Sequence, residues 1–171
     1  MNDPPLPRSK PELRVHSMRL ALLITMMVTL AGCASSNPNG PSANLAIERA
    51  IRSEIGKSEG ELTAADLAKV TKLPALTEKK ISDLNRLKDL PSLRLLRLSF
   101  NEINDLGPLK ELEQLIVLEL DSNRITDVSA LKGLKQLRRL NLAWNPGLTK
   151  AQIQDLQNAL PFCSIIHNAA K

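Results

Sequence analysis

The chain has 171 residues, 43% hydrophobic and 24% charged, enough for one globular domain with extra segments and too apolar for a largely disordered chain. Two Phe, one Trp and no Tyr leave Leu, Ile and Ala to build the core, a composition suited to thin repeating layers. The net charge of +5 does not point to nucleic acid: Arg8, Lys10, Arg14 and Arg19 outweigh Asp3 and Glu12 at the start, and the later charges alternate in sign.

Arg14, His16 and Arg19 precede an apolar or near-apolar run from Leu20 to Leu30, the form of a secretory signal. A membrane-spanning helix needs about 20 apolar residues, so this run is too short to stay in the bilayer as one. It ends in Leu30-Ala31-Gly32-Cys33, which resembles the lipobox of bacterial lipoproteins. That resemblance implies a signal peptide over residues 1–32, cleavage before Cys33 and a diacylglyceryl thioether on the Cys33 sulfur. Two or more acyl chains are also what stable anchoring requires. An ordinary secretory signal with a chance Cys is the alternative. Ala34 stands where some lipoproteins carry an inner-membrane-retaining Asp, so the resemblance implies the cell envelope, and the outer membrane in a two-membraned cell. Residues 1–17 are Pro-rich and long for such a signal, and Met18 offers a compact alternative start. From 33 to 44 the chain is Ser, Asn, Pro, Gly and Ala, which reads as a flexible tether.

Next comes a helical N-terminal cap over residues 45–72. Leu45 to Ile55 is amphipathic and stops at Gly56, and Thr63-Ala-Ala-Asp66 opens a second helix in the manner of a capping box, with Leu67 and Val70 facing inward. Residues 73–148 are repetitive. Leu96-Arg-Leu98-Ser-Phe-Asn101, Leu118-Glu-Leu120-Asp-Ser-Asn123 and Leu140-Asn-Leu142-Ala-Trp-Asn145 recur at 22-residue steps, and a degraded copy runs through Leu76, Ile81, Leu84, Leu87 and Leu90. The alternation of Leu96 and Leu98 with Leu95, Arg97 and Ser99 has the period of a short strand with one buried face. Asn101, Asn123 and Asn145 fall where the chain leaves each strand, where a side-chain amide can bond backbone groups that the strand ladder does not reach. Asp83, Asp105 and Asp127 form a second column. Three carboxylates in line raise the question of calcium, but each precedes an apolar helical turn, and capping is the favoured reading; no metal is expected.

The pattern L-x-x-L-x-L-x-x-N-x-I resembles leucine-rich repeats, and the 22-residue unit with Ile-Ser-Asp-Leu, Ile-Asn-Asp-Leu and Ile-Thr-Asp-Val resembles bacterial internalin-type repeats over about residues 62–165. The resemblance implies an α/β repeat solenoid, a short arc with a parallel sheet on its concave side. Its far end is a C-terminal cap over 149–171, in which Thr149 to Gln152 starts a helix that Pro161 breaks, followed by a last strand or partial turn over Phe162 to Ile166.

No catalytic constellation is evident. Past Cys33 the chain holds one His, His167, and one further Cys, Cys163, which reads as a core residue beside Phe162 and Ile165. The expected function is protein binding by a monomeric, membrane-anchored domain with no cofactor beyond the lipid on Cys33; the alternative is a structural envelope lipoprotein. The resemblance places Leu95, Arg97, Ser99, Val117, Glu119, Asp121, Arg139, Asn141 and Ala143 on the concave face. Trp144, at a strand exit, is either an exposed binding residue or packed against the C-terminal helix.

Overall fold

A computed structural model describes residues 41–169; the stretch read as a signal, Cys33 and the stretch read as a tether as far as residue 40 lie outside the described residues. Helix α1 spans Pro41–Ile55 and so begins inside the stretch read as tether. Proline at the first helical position loses no hydrogen bond and has its φ preset, which favours starting there. Ile47 and Ile51 of α1 are fully buried. Gly56, at φ +67, closes the helix, and the Lys57 N–H bonds the Arg52 carbonyl at 3.0 Å, the six-residue closure that a left-handed glycine permits.

Helix α2 is a single turn, Ala64–Leu67, with the expected capping box: Thr63 accepts from the Asp66 N–H while Asp66 accepts from the Thr63 N–H. The Lys57 ammonium joins the same carboxylate at 2.7 Å. Lys57, then the Thr63 hydroxyl and N–H, hold the Asp66 carboxyl well below the usual carboxylate range. A depressed carboxylate stabilises the fold above its unfolded pKa and loses that contribution as pH falls through the folded value. The stability difference between wild type and Asp66→Asn should therefore stay level from neutral pH to about pH 4 and shrink only below it. Urea titrations at a series of pH values test this; a difference already shrinking at pH 6 would contradict it.

Five short strands follow: β1 Lys72–Leu73, β2 Leu95–Arg97, β3 Val117–Glu119, β4 Arg139–Asn141 and β5 Ser164–Ile166. They form one parallel sheet in chain order. The register aligns Leu73, Leu96, Leu118, Leu140 and Ile165 in one row, and the first four of these are fully buried. Pro74 follows β1 directly and has no N–H for a ladder, which keeps that strand to two residues. The return segments are 3-10 helices, Asn85–Asp89, Gly107–Glu111 and Ser129–Gly133, each burying one leucine (Leu87, Leu109, Leu131). Their tight coil crosses the back of each layer in five residues.

Each aspartate of the column stands one residue before the N-cap of one of these turns, which is Leu84, Leu106 or Val128, and bonds the first N–H of the turn. Asp83, Asp105 and Asp127 each accept the N–H two residues on, from Asn85, Gly107 and Ser129, at 2.8, 2.8 and 2.9 Å. Asp127 also takes the Ser129 hydroxyl at 2.7 Å, and that bond foremost lowers its pKa. Helix α3, Lys150–Ala159, starts at the expected Thr149–Gln152 capping box and buries Ile153 and Leu156. Leucines and isoleucines from α1 to α3 form one continuous core, which Cys163 joins near its C-terminal end.

Candidate binding face

The asparagine column comes first, because it sets the strand exits from which the face is built. Asn101, Asn123 and Asn145 are buried at 7, 5 and 3% exposure. The Asn123 Nδ2 donates to the carbonyls of Leu98, Leu120 and Asp121 at 3.0, 3.1 and 3.2 Å, and its Oδ1 accepts the Ile103 N–H at 3.0 Å. Asn145 repeats the pattern one layer on, with Leu120, Leu142 and Ala143 as acceptors and Ile125 as donor. Asn101 does the same one layer earlier and takes a second N–H, from Lys79. Each amide thus ties its own turn to the turn of the preceding layer, the structural role expected of it.

The residue before each ladder asparagine adopts a left-handed backbone. Phe100, Ser122 and Trp144 have φ of 57, 58 and 58°, and Glu78 shows 57° at the equivalent position of the first layer. The turn demands it, since the N–H of each bonds across to the next layer: Glu78 to the Ser99 carbonyl, Phe100 to Asp121 and Ser122 to Ala143. At the last turn Asn168 substitutes a side-chain oxygen, which accepts the Trp144 N–H at 2.7 Å. Ser122→Gly should leave stability within about 1 kcal/mol of wild type, whereas Ser122→Val should cost about 2 kcal/mol because a β-branched residue resists positive φ. Equal urea midpoints for the two variants would contradict that reading.

On the sheet face the rows adjacent to the buried leucines carry the candidate residues. One row runs Lys72, Leu95, Val117, Arg139 and Ser164; the other runs Arg97, Glu119, Asn141 and Ile166. Arg97 and Arg139 are exposed, and Leu95, Val117, Glu119, Asp121, Asn141 and Ala143 are partly exposed. Ser99 is buried at 8%. Its hydroxyl donates to Asp121 Oδ1 at 2.6 Å, and Asn141 Nδ2 donates to the same oxygen at 3.0 Å. These three therefore form a bracket across three layers. Glu119 lies 3.8 Å from Arg139 Nε, with its side chain 20% exposed.

Trp144 is 69% exposed, and Phe100 is 55% exposed at the same strand-exit position of an earlier layer. Of the two expectations for Trp144, exposure is the observed one: the bond that ties it to the C-terminal segment comes from its backbone, and the indole faces solvent. Sequence reading missed one cation of the face, Lys72, which is exposed. Lys72 escaped notice because β1 lacks the Leu-x-Leu signature. Cys163 is buried, and burial raises its thiol pKa, so it is held as a neutral core group. His167 is exposed near the end of the described chain, and among the described residues no cluster of His, Cys, Asp or Glu has the makings of a metal site.

Parallel strands in chain order, a leucine row beneath them, 3-10 returns and an asparagine ladder together define a leucine-rich-repeat arc. Comparison with known proteins agrees: the leucine rich repeat family model matches residues 91–146. Among solved structures, internalin C2 of Listeria monocytogenes is similar at 26% identity and TM-score 0.64, over 81% of this chain and 64% of that one. Another internalin of the same species matches at 24% identity and TM-score 0.62, over 79% of this chain and 46% of its own. A leucine-rich-repeat protein of Leptospira interrogans matches at 28% identity and TM-score 0.53, over 63% of this chain and 28% of that protein. The chain thus spans less than two thirds of the length of each. No curated protein sequence matches it.

Proposed function

We propose that this protein is a lipid-anchored binding module of the bacterial envelope, which holds a protein partner on the concave face of its repeat arc and catalyses nothing. The observation that carries the reading is the sheet face itself: Lys72, Arg97 and Arg139 stand exposed on three strands around the partly exposed Leu95 and Val117. Exposed arginines beside apolar side chains and an aromatic at the rim are the composition of interface hot spots. Only a few strands contribute, so the buried area is modest and the affinity moderate. Anchoring rests on the lipobox-like Leu30-Ala31-Gly32-Cys33 behind its charged and apolar signal, with the envelope as location and the outer membrane in a two-membraned cell.

In-cell photo-crosslinking from position 119, read by mass spectrometry, tests the binding reading. One dominant protein adduct, lost when Arg97 and Arg139 are reversed to Glu, is the expected result. Absence of any specific adduct would replace it with the structural envelope role. Cys33→Ala should abolish metabolic labelling by a fatty acid, and a mutant that still labels would remove the anchor.

A further inference from the structure

We propose that the partner segment is an extended acidic peptide with an apolar anchor, of the pattern acidic-x-apolar-x-acidic, laid across the strands. This rests on the binding-module reading and adds the chemistry of the partner. In sequence the face mixes both signs of charge. The structure leaves the negative half less exposed than the positive half. Asp121 keeps its charge, but its Oδ1 already accepts from the Ser99 hydroxyl and the Asn141 amide, and Glu119, with its side chain 20% exposed, lies beside Arg139. Lys72, Arg94 and Arg97 are exposed and make no ion pair among the described residues. Three exposed cations of the sheet rows, Lys72, Arg97 and Arg139, thus outnumber two partly exposed carboxylates, Glu119 and Asp121.

Its arrangement is specific. Lys72, Leu95, Val117 and Arg139 are consecutive in one register row, so two apolar side chains sit between two cations. Three strand steps of about 4.8 Å separate the ends of that row by about 14 Å. An extended peptide rises about 3.3 Å per residue and presents every second side chain to one face, so residues i and i+4 lie about 13 Å apart with i+2 between them. Acidic side chains at i and i+4 would meet Lys72 and Arg139, and an apolar side chain at i+2 would rest on Leu95 and Val117. Arg97, at the end of β2, supplies further positive charge beside that row. A nucleic acid would meet the cations but leave the apolar pair without a partner, since tight binding of that class needs a run of phosphate contacts. A concave sheet also fits a flat bilayer poorly.

The test uses the full chain in detergent and a fluorescein-labelled peptide in which Gly-Ser linkers flank Glu-Ser-Leu-Ser-Glu. Fluorescence anisotropy should show binding that weakens with salt, and a peptide with Lys in place of both Glu should not bind. Arg97→Glu with Arg139→Glu should weaken the acidic peptide about tenfold or more, and Leu95→Ser severalfold. Lys110→Glu, on the 3-10 helix at the back of a layer, should leave it unchanged. These side chains are all on the surface, and circular dichroism checks that each variant is folded. Equal binding of the Lys peptide, tighter binding of a 20-nucleotide single-stranded DNA or of phosphatidylglycerol vesicles, or an equal loss with Lys110→Glu would overturn the proposal. The two readings fail separately: a basic segment captured by the crosslink from position 119 would leave the binding module standing and remove the acidic partner.

Discussion

Asn123→Asp should destabilise the repeat domain by about 4 kcal/mol or more at pH 7, and more than Asn123→Ala, which should cost about 2–4 kcal/mol. The change is almost isosteric, so packing does not explain the difference. It replaces a group that donates to three carbonyls, those of Leu98, Leu120 and Asp121, with an oxygen that repels them, at a side chain 5% exposed. An ionised carboxylate there is desolvated and faces three partial negative charges; a protonated one has a single hydrogen for three acceptors. The Asp variant should therefore recover part of its stability as pH falls. Its folded-state pKa is raised above the unfolded value, so the penalty is smallest below about pH 4 and grows as pH rises. Urea denaturation of both variants across that range checks the sign. An Asp variant as stable as wild type at pH 7 would mean that the ladder is dispensable.

The second large effect belongs to the leucine row. Leu118→Ala should cost about 3–4 kcal/mol, because Leu118 is fully buried with Leu96 and Leu140 beside it in register, and rigid neighbouring layers cannot close on the void. Ile165→Ala occupies the same row at the C-terminal edge, where the residue is only partly buried, and should cost about 1 kcal/mol. Val117→Ala, one residue from Leu118 but on the partly exposed face, should fall below about 1 kcal/mol. A solenoid layer touches only its neighbours, so loss at a central layer weakens two interfaces where loss at an end weakens one. Native-state hydrogen exchange adds the location: in Leu118→Ala the amides of the middle strands should lose most protection. Equal costs for Leu118→Ala and Ile165→Ala would show that the layers do not act as nearest-neighbour units.

Much of the architecture is legible in the sequence. The 22-residue step of Leu-x-Leu-x-x-Asn places three strands and their ladder, because a buried leucine and a carbonyl-bonding amide each demand one residue type at one spacing. The two capping boxes at Thr63 and Thr149 were readable for the same reason: a hydroxyl and a carboxylate or amide three residues apart satisfy the first turn by local chemistry alone. Fine conformation was less accessible. The returns read as helical turns, and only backbone geometry showed the tighter 3-10 coil. The first strand was missed because Lys72-Leu73-Pro74 has no Leu-x-Leu pattern; it is a strand because β2 supplies its partner.

The candidate face divides in the same way. Alternation along each strand named Leu95, Arg97, Val117, Glu119, Arg139 and Asn141 as its side chains, since period two is a local property of extended backbone. Whether a carboxylate on that face is free or already held depends on neighbours about 22 residues away, which no local pattern encodes. So the Ser99–Asp121–Asn141 bracket, and the place of Lys72 beside Leu95 that gives the face its excess of positive charge, came only from the register. The left-handed turns at Glu78, Phe100, Ser122 and Trp144 carry no common side-chain chemistry, and what imposes them is the hydrogen bond each N–H makes to the next layer or, at the end, to Asn168. Sequence alone determined the period, the buried row and the ladder, because those depend on residue type at fixed spacing. The tertiary structure decided the charge balance of the face and the exposure of Trp144, because both depend on which distant groups the stacked layers bring together.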